Sequence, residues 1–158
     1  MLVAQDLKKV YKDRTVVKSV SLTVNRGESV GILGANGAGK TTTFYMIMGL
    51  VKPNAGKISY NNQGITRWPL YKRARLGIGY LPQETALFHA LSVADNIRMV
   101  WELTSRLSSA AQHQKLMNLL AMMTVTHLKD TRCGALSGGE KRRVELARLL
   151  ATDPEIVL

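Results

Sequence analysis

Residues 34–43 read Gly-Ala-Asn-Gly-Ala-Gly-Lys-Thr-Thr-Thr and follow the apolar run 29–33 without a break. No other stretch constrains the fold so tightly. Glycines at this density let a backbone curl until successive amides point at one centre, and a helix opening directly after them adds the positive end of its dipole. Gly34, Gly39, Lys40 and Thr41 keep the spacing G-x-x-x-x-G-K-[ST] of a phosphate-binding loop, which needs a strand before it and a helix after it. The neighbouring pattern predicts both. Residues 19–33 hold two β-branched-rich runs parted by Asn25, Arg26 and Gly27, which reads as strand, turn, strand, the second strand feeding the loop. Beyond Lys40, Phe44, Ile47 and Met48 recur at helical spacing, and Gly49 with Pro53 stops the run, so a helix is predicted to begin inside the lysine-hydroxyl segment.

Further strands are predicted at 57–60 and 77–81. The pattern then turns helical. Val93, Ile97, Val100 and Trp101 form one apolar face, with Ser92 and Asp95 suited to its N-terminus. Leu116, Leu119, Leu120 and Met123 form a second stripe at i, i+3, i+4 and i+7, read as core. A third helix is predicted from after Ser137 to about Thr152, where Asp153-Pro154 breaks it and residues 155–158 begin a strand. Neither an internal repeat nor a low-complexity linker is visible.

The sequence has 158 residues, enough for one ordinary domain with a real core. Twenty-two basic against 11 acidic residues give a net charge of +11, which admits nucleic acid, anionic membrane or polyphosphate as partners. The cations are scattered, with small clusters at 72–75 and 141–143, so a dedicated nucleic-acid surface is disfavoured. Cys133 is the single cysteine, which leaves no internal disulfide and fits a reducing compartment. No apolar run approaches the ~18 residues that a membrane helix needs.

In a loop of this kind the backbone from Gly34 through Ala35, Asn36, Gly37, Ala38 and Gly39 cradles phosphates. Lys40 bridges the outer phosphates, and Thr41, followed by Thr42, supplies a hydroxyl oxygen to Mg²⁺. These features alone leave kinases, GTPases and ATPases open. Leu136-Ser137-Gly138-Gly139-Glu140 narrows the choice. The chain resembles the ATP-binding-cassette (ABC) ATPases, whose signature reads LSGGQ, with Glu140 standing here for the glutamine. The order of motifs agrees along the whole chain: an aromatic at Tyr11, the phosphate loop, Leu81-Pro82-Gln83, a helical insertion, then the signature.

The resemblance implies an α/β fold. It consists of a P-loop NTPase core with an N-terminal antiparallel β layer (1–83), a helical subdomain (84–134), and a signature helix leading into the next strand (135–158), the expected parallel sheet being cut at the C-terminus. It implies ATP and Mg²⁺ as ligands. Tyr11 matches the adenine-stacking aromatic, and Gln83 the glutamine whose amide oxygen reaches Mg²⁺ or the attacking water. The amides of Ser137, Gly138 and Gly139 begin a helix and so make an anion site. In this family that site caps the γ-phosphate held by the other subunit of a head-to-tail homodimer. Ser137 and Glu140 also have the spacing of a capping box, and both readings can hold together.

The family's metal-binding aspartate, water-polarising glutamate and switch histidine follow the last strand. None lies within 1–158, so no catalytic residue is assigned here, and the segment is expected to bind ATP without hydrolysing it. The resemblance further implies docking to transmembrane subunits on the cytoplasmic face of the inner membrane, with no nucleic-acid partner. The segment 84–96 is the expected coupling surface. There Phe88 is the anchor, and His89 stands where a basic residue is expected. Residues 41–51, 73–84 and 91–97 most resemble the ATPases of lipopolysaccharide export. Branched-chain amino-acid importer ATPases are the alternative, and a soluble ABC protein of ribosomes or DNA, or a non-hydrolysing fragment, are the others.

Overall fold

Residues 1–104 and 108–158 are described by the computed structural model. They fall into two units, Met1–Leu76 and Gly77–Leu158. Among the described residues no helix is long and apolar enough to cross a membrane.

The first unit is an antiparallel sheet with a helix on it. Strands β1 (Leu2–Tyr11) and β2 (Arg14–Val24) form a hairpin, closed by a turn with Lys12 at φ 50°. Strands β3 (Ala55–Tyr60) and β4 (Gln63–Gly64) complete the order β2-β1-β3-β4. Strict alternation would put Leu2 and Ala4 on one face of β1 and Leu7 on the other, yet all three are buried. An irregularity in the register between Ala4 and Leu7 resolves the conflict. Asp6 sits there at φ 48° with its carboxylate accepting from Ser19 Oγ at 3.1 Å. Helix α1 (Lys40–Met48) packs on β1 and β2, burying Met46, Ile47 and Met48 in a core shared with Leu2, Leu7 and Ile58.

Arg73 in the short helix α2 (Leu70–Ala74) finishes α1. Only 1% exposed, its guanidinium donates to the carbonyls of Met46 (2.9 Å), Ile47, Trp68 (2.9 Å) and Thr66 (3.1 Å). A cation thus satisfies the orphan carbonyls at the negative end of the helix. Burial lowers its pKa to about 10, so it stays charged at neutral pH.

The second unit holds α3 (Val93–Thr104), α4 (Ser109–Met122) and α5 (Gly138–Leu150), with β5 (Ile78–Gly79) paired in parallel to β6 (Ile156–Val157). Its core joins Val93, Ile97 and Trp101 to Leu116, Leu120, Val144 and Ala147, as the helical stripes predict, while Val100 and Met123 are only partly buried. Ser92 caps α3, its Oγ accepting from Asp95 N at 3.1 Å and donating to Asp95 Oδ2 at 2.6 Å. Cys133 is buried and its thiol pKa is raised by that burial, so the cysteine is a core residue.

One expectation fails. Residues 29–33 are not a strand, and parallel pairing among the described residues is limited to β5 and β6. Leu33 is 94% exposed. A β-branched run becomes a strand only when a neighbour pairs with it, because β preference measures cross-strand packing more than backbone bias. The sheet is paired as β2-β1-β3-β4, and residues 29–33 enter none of its ladders. Strand β5 is likewise shorter than the predicted 77–81.

Candidate functional site

The glycine loop runs straight into α1. Gly37 and Gly39 have φ of 82° and 85°, a backbone region that side chains resist. At Gly39 a Cβ would also lie 2.6 Å from Val16 O and 2.9 Å from Val17 Cγ2, so nothing larger than hydrogen fits between loop and β2. Gly39 is the N-cap residue and brings no side-chain oxygen, and the first turn of α1 contains no acidic residue. The opening amides of the helix are therefore left for an outside acceptor, and the dipole there is uncompensated.

Lys40 folds back across the loop, its Nζ donating to Gly34 O and Ala35 O at 2.8 Å each. The ammonium thus lies against the backbone at the start of the loop, held by two of its carbonyls. Asn36, Ala38 and Thr41 are exposed around it, and Thr42 is partly covered. Thr43, absent from the sequence reading, is buried, with its hydroxyl donating to Gly39 O at 3.0 Å and its amide to the same oxygen at 2.8 Å. It locks the turn that Gly39 starts. A hydroxyl one turn into a helix, donating to the carbonyl four residues back, was the available signal.

Tyr11 ends β1 at 46% exposure, with Lys9 Nζ 4.9 Å from its ring centroid. The ring is an accessible π face already carrying a cation. Thr41 offers a hydroxyl oxygen suited to a hard cation, and among the described residues no group of three or more His, Cys, Asp or Glu gathers to hold a metal by itself. A hydroxyl oxygen is a ligand that Mg²⁺ accepts, an ion that keeps several waters and arrives with phosphates.

In the second unit Gln83 is exposed on the loop between β5 and α3. Two residues of α5 that sequence reading missed hold this loop. Arg142 Nη1 donates to Pro82 O at 2.8 Å and pairs with Glu145 Oε2 at 3.2 Å, and Glu145, 3% exposed, accepts from Ala86 N at 2.8 Å. Gln83 is bracketed on both sides by the signature helix. The signal was the i, i+3 opposite pair with its acid on the buried face of α5.

Leu136-Ser137-Gly138-Gly139-Glu140 opens α5 with a complete capping box. Ser137 donates from N (2.8 Å) and Oγ (2.7 Å) to Glu140 Oε2, while Glu140 N donates to Ser137 Oγ at 3.4 Å. The Ser137 hydroxyl, followed by its backbone amide, holds the Glu140 carboxyl below its ordinary pKa. Leu136 is buried, Gly138 and Gly139 are exposed, and no atom would obstruct a Cβ at either glycine.

Phe88 is 52% exposed, and Leu87 is the buried neighbour, so Phe88 is no core residue. Its backbone is fixed by Asn96, which is fully buried on α3. Asn96 Oδ1 accepts from Phe88 N at 2.9 Å, and its Nδ2 donates to Phe88 O and Ser92 O at 3.0 Å each. His89 is exposed, its carbonyl accepting from Gly134 N at 2.9 Å. Asn96 is a further residue missed from sequence, a polar side chain on an otherwise apolar helix face.

A family model described as ABC transporter matches residues 17–158. An uncharacterized ABC transporter ATP-binding protein of Rhizobium meliloti (strain 1021) is 53% identical over 157 residues, covering 99% of this chain and 58% of its own length. The lipopolysaccharide export system ATP-binding protein LptB of Escherichia coli (strain K12) is 50% identical over 157 residues, covering 99% of this chain and 65% of its own. The chain thus spans less than two thirds of these relatives. Among solved structures, cbiO1 of Clostridium perfringens, part of the ABC transporter complex cbiONQ, superposes with a TM-score of 0.86 at 30% identity, covering 99% of this chain and 63% of that one.

Proposed function

Because the chain belongs to the ABC transporter family, we propose that it is the nucleotide-binding part of a transport ATPase subunit whose cargo is lipopolysaccharide bound for the outer membrane. The observation that carries the nucleotide reading is the start of α1. Uncapped amides, two glycines at positive φ and the Lys40 ammonium lie together in the loop that opens α1. Such a cradle suits a polyphosphate tail. The transport reading rests on the 50% identity with LptB.

In this reading the core with its β layer spans 1–83, the helical subdomain 84–134 and the signature segment 135–158. Lys40 leaves the Gly34 and Ala35 carbonyls for the outer phosphate oxygens, and Gly34–Thr42 donate backbone amides to the phosphates. Tyr11 stacks against the adenine in competition with Lys9. Thr41 and Gln83 hold the ATP-associated Mg²⁺, whose chemistry is to neutralise charge developing on the phosphates. Ser137 and Gly139 donate to the γ-phosphate of the nucleotide bound by a second copy, and Phe88 with His89 receives a segment of the membrane subunits. Hydrolysis is proposed for the whole protein, and binding for residues 1–158.

The test is turnover by the full-length protein purified with its membrane subunits into proteoliposomes. ATP hydrolysis should rise when lipopolysaccharide is added and vanish in Lys40→Ala. Turnover indifferent to lipopolysaccharide but raised by an amino-acid-loaded binding protein would assign the chain to import.

A further inference from the structure

Every charged residue between Glu28 and Glu84 is basic. In a chain with 11 acidic residues, so long an interval without one is a marked asymmetry, and the first unit gathers much of this charge on one face. Lys57 of β3 and Arg67 are exposed and, with Gly64, Thr66 and Trp68, line an open basin of about 520 Å³. Trp68 links the basin to α2, where Lys72 Nζ lies 5.9 Å from its ring centroid. One turn on, Arg75 Cζ lies 5.7 Å from the ring of Tyr71, which is 57% exposed. Arg73, between them, is spent inward on α1. Among the described residues none of Lys57, Arg67, Lys72 and Arg75 enters a salt bridge. The face is therefore four cations without counter-charge, interleaved with two partly open aromatic rings.

We propose that this face, formed by Lys57, Arg67, Trp68, Tyr71, Lys72 and Arg75, docks on the anionic phospholipid headgroups of a membrane surface. The inference goes beyond the nucleotide site and does not depend on it. Charge complementarity selects an anionic partner. Among anionic partners the rings favour a headgroup layer, because each pairs an amphipathic ring with a cation over it, Lys72 at 5.9 Å and Arg75 at 5.7 Å from the centroids. Amphipathic Trp and Tyr rings flanked by Lys and Arg suit the headgroup layer, where the ring edge meets the apolar boundary and the cation meets phosphate. Each basic residue close to such a surface strengthens binding about fivefold.

The experiment is sedimentation of the full-length protein, without membrane subunits or nucleotide, with vesicles of phosphatidylcholine alone or mixed with phosphatidylglycerol. Binding is expected to the mixed vesicles only, and raised salt should release it. The variant R67Q/K72Q/R75Q should lose binding on the order of 100-fold, while keeping the wild-type melting temperature and its shift with Mg-ATP. Trp68→Phe should retain most of the binding. Several results would overturn the proposal: equal binding to both vesicles, an unchanged triple variant, displacement by inorganic phosphate at matched ionic strength, or tighter binding of a single-stranded oligonucleotide through the same three residues. Loss of the Mg-ATP shift with vesicle binding intact would count against the nucleotide site alone.

Discussion

Gly37 and Gly39 share a left-handed backbone within three degrees of φ but differ in what surrounds them, so Gly→Ala at each separates strain from close approach. At Gly37 no atom lies within 4 Å of the added Cβ. Ala there meets only the conformational penalty of about 1–2 kcal/mol, partly offset by an unfolded chain that is less free by about 0.4–1 kcal/mol. The net loss should be near 1 kcal/mol. At Gly39 the same terms apply, and the Cβ also lies 2.6 Å from a backbone oxygen of β2. A strand cannot yield as a flexible side-chain tip can, so an overpacking cost of about 1–3 kcal/mol adds to the first. Gly39→Ala should therefore lose about 2–4 kcal/mol in all, and the melting temperature should fall by roughly 2–4 °C for Gly37→Ala and about three times that for Gly39→Ala. Urea denaturation followed by circular dichroism reads the difference directly. Equal losses for the two variants would refute the reasoning, because they would show that contact with β2 contributes nothing.

Arg73→Met strips donors from the buried Met46 and Ile47 carbonyls, at about 1–3 kcal/mol each, while returning no guanidinium to a buried site offsets part of it. A net loss of about 2 kcal/mol in urea is expected, and a variant as stable as wild type would mean that desolvation cancels the capping. Since burial lowers the Arg73 pKa to about 10, the group is protonated in folded and unfolded chains alike at neutral pH. Its own contribution should be flat there and increase only as the pH rises past about 10. Glu140 is the opposite case in range: its folded pKa lies below the unfolded value because Ser137 donates to it. The stability that separates wild type from Glu140→Ala should be full above about pH 5 and shrink as the pH falls below about 4. A difference that persists in acid would exclude the charged capping box as its source. Phe88→Ala should melt like wild type, given its exposure, and weaken association with membrane subunits by about 2 kcal/mol if it anchors them; pull-down with a parallel melting curve decides.

Helices were legible wherever one face is apolar along its length. Leu116, Leu119 and Leu120 fix α4, and Val93, Ile97 and Trp101 fix α3, because a 3.6-residue period survives without knowledge of the partner. Caps were legible too, since Ser92 and Ser137 act within three residues of themselves. Residues 29–33 misled because a strand is defined by its neighbour, and no local signal reports whether one is there. Arg73, Asn96, Arg142 and Glu145 escaped for a related reason. Each is a polar residue of common type whose partners lie on another segment: Arg73 serves α1 from 27 residues away, and Glu145 reaches Ala86 across 59. The phosphate-loop residues were visible because glycine, lysine and hydroxyl at fixed spacing do their work through a contiguous backbone. Thr43 was hidden in a run of three threonines, and only its inward direction distinguishes it.

The central claim is that the loop opening α1 is a nucleotide phosphate cradle that includes Lys40, and isothermal titration of Mg-ATP into the full-length protein tests it most directly. Wild type should bind one ATP per chain with micromolar affinity. Lys40→Ala, which removes the ammonium but leaves the glycines and the uncapped amides in place, should weaken binding at least tenfold with an unchanged melting temperature in the absence of nucleotide. Wild-type affinity in a folded Lys40→Ala variant, or no binding heat from wild type, would contradict the account.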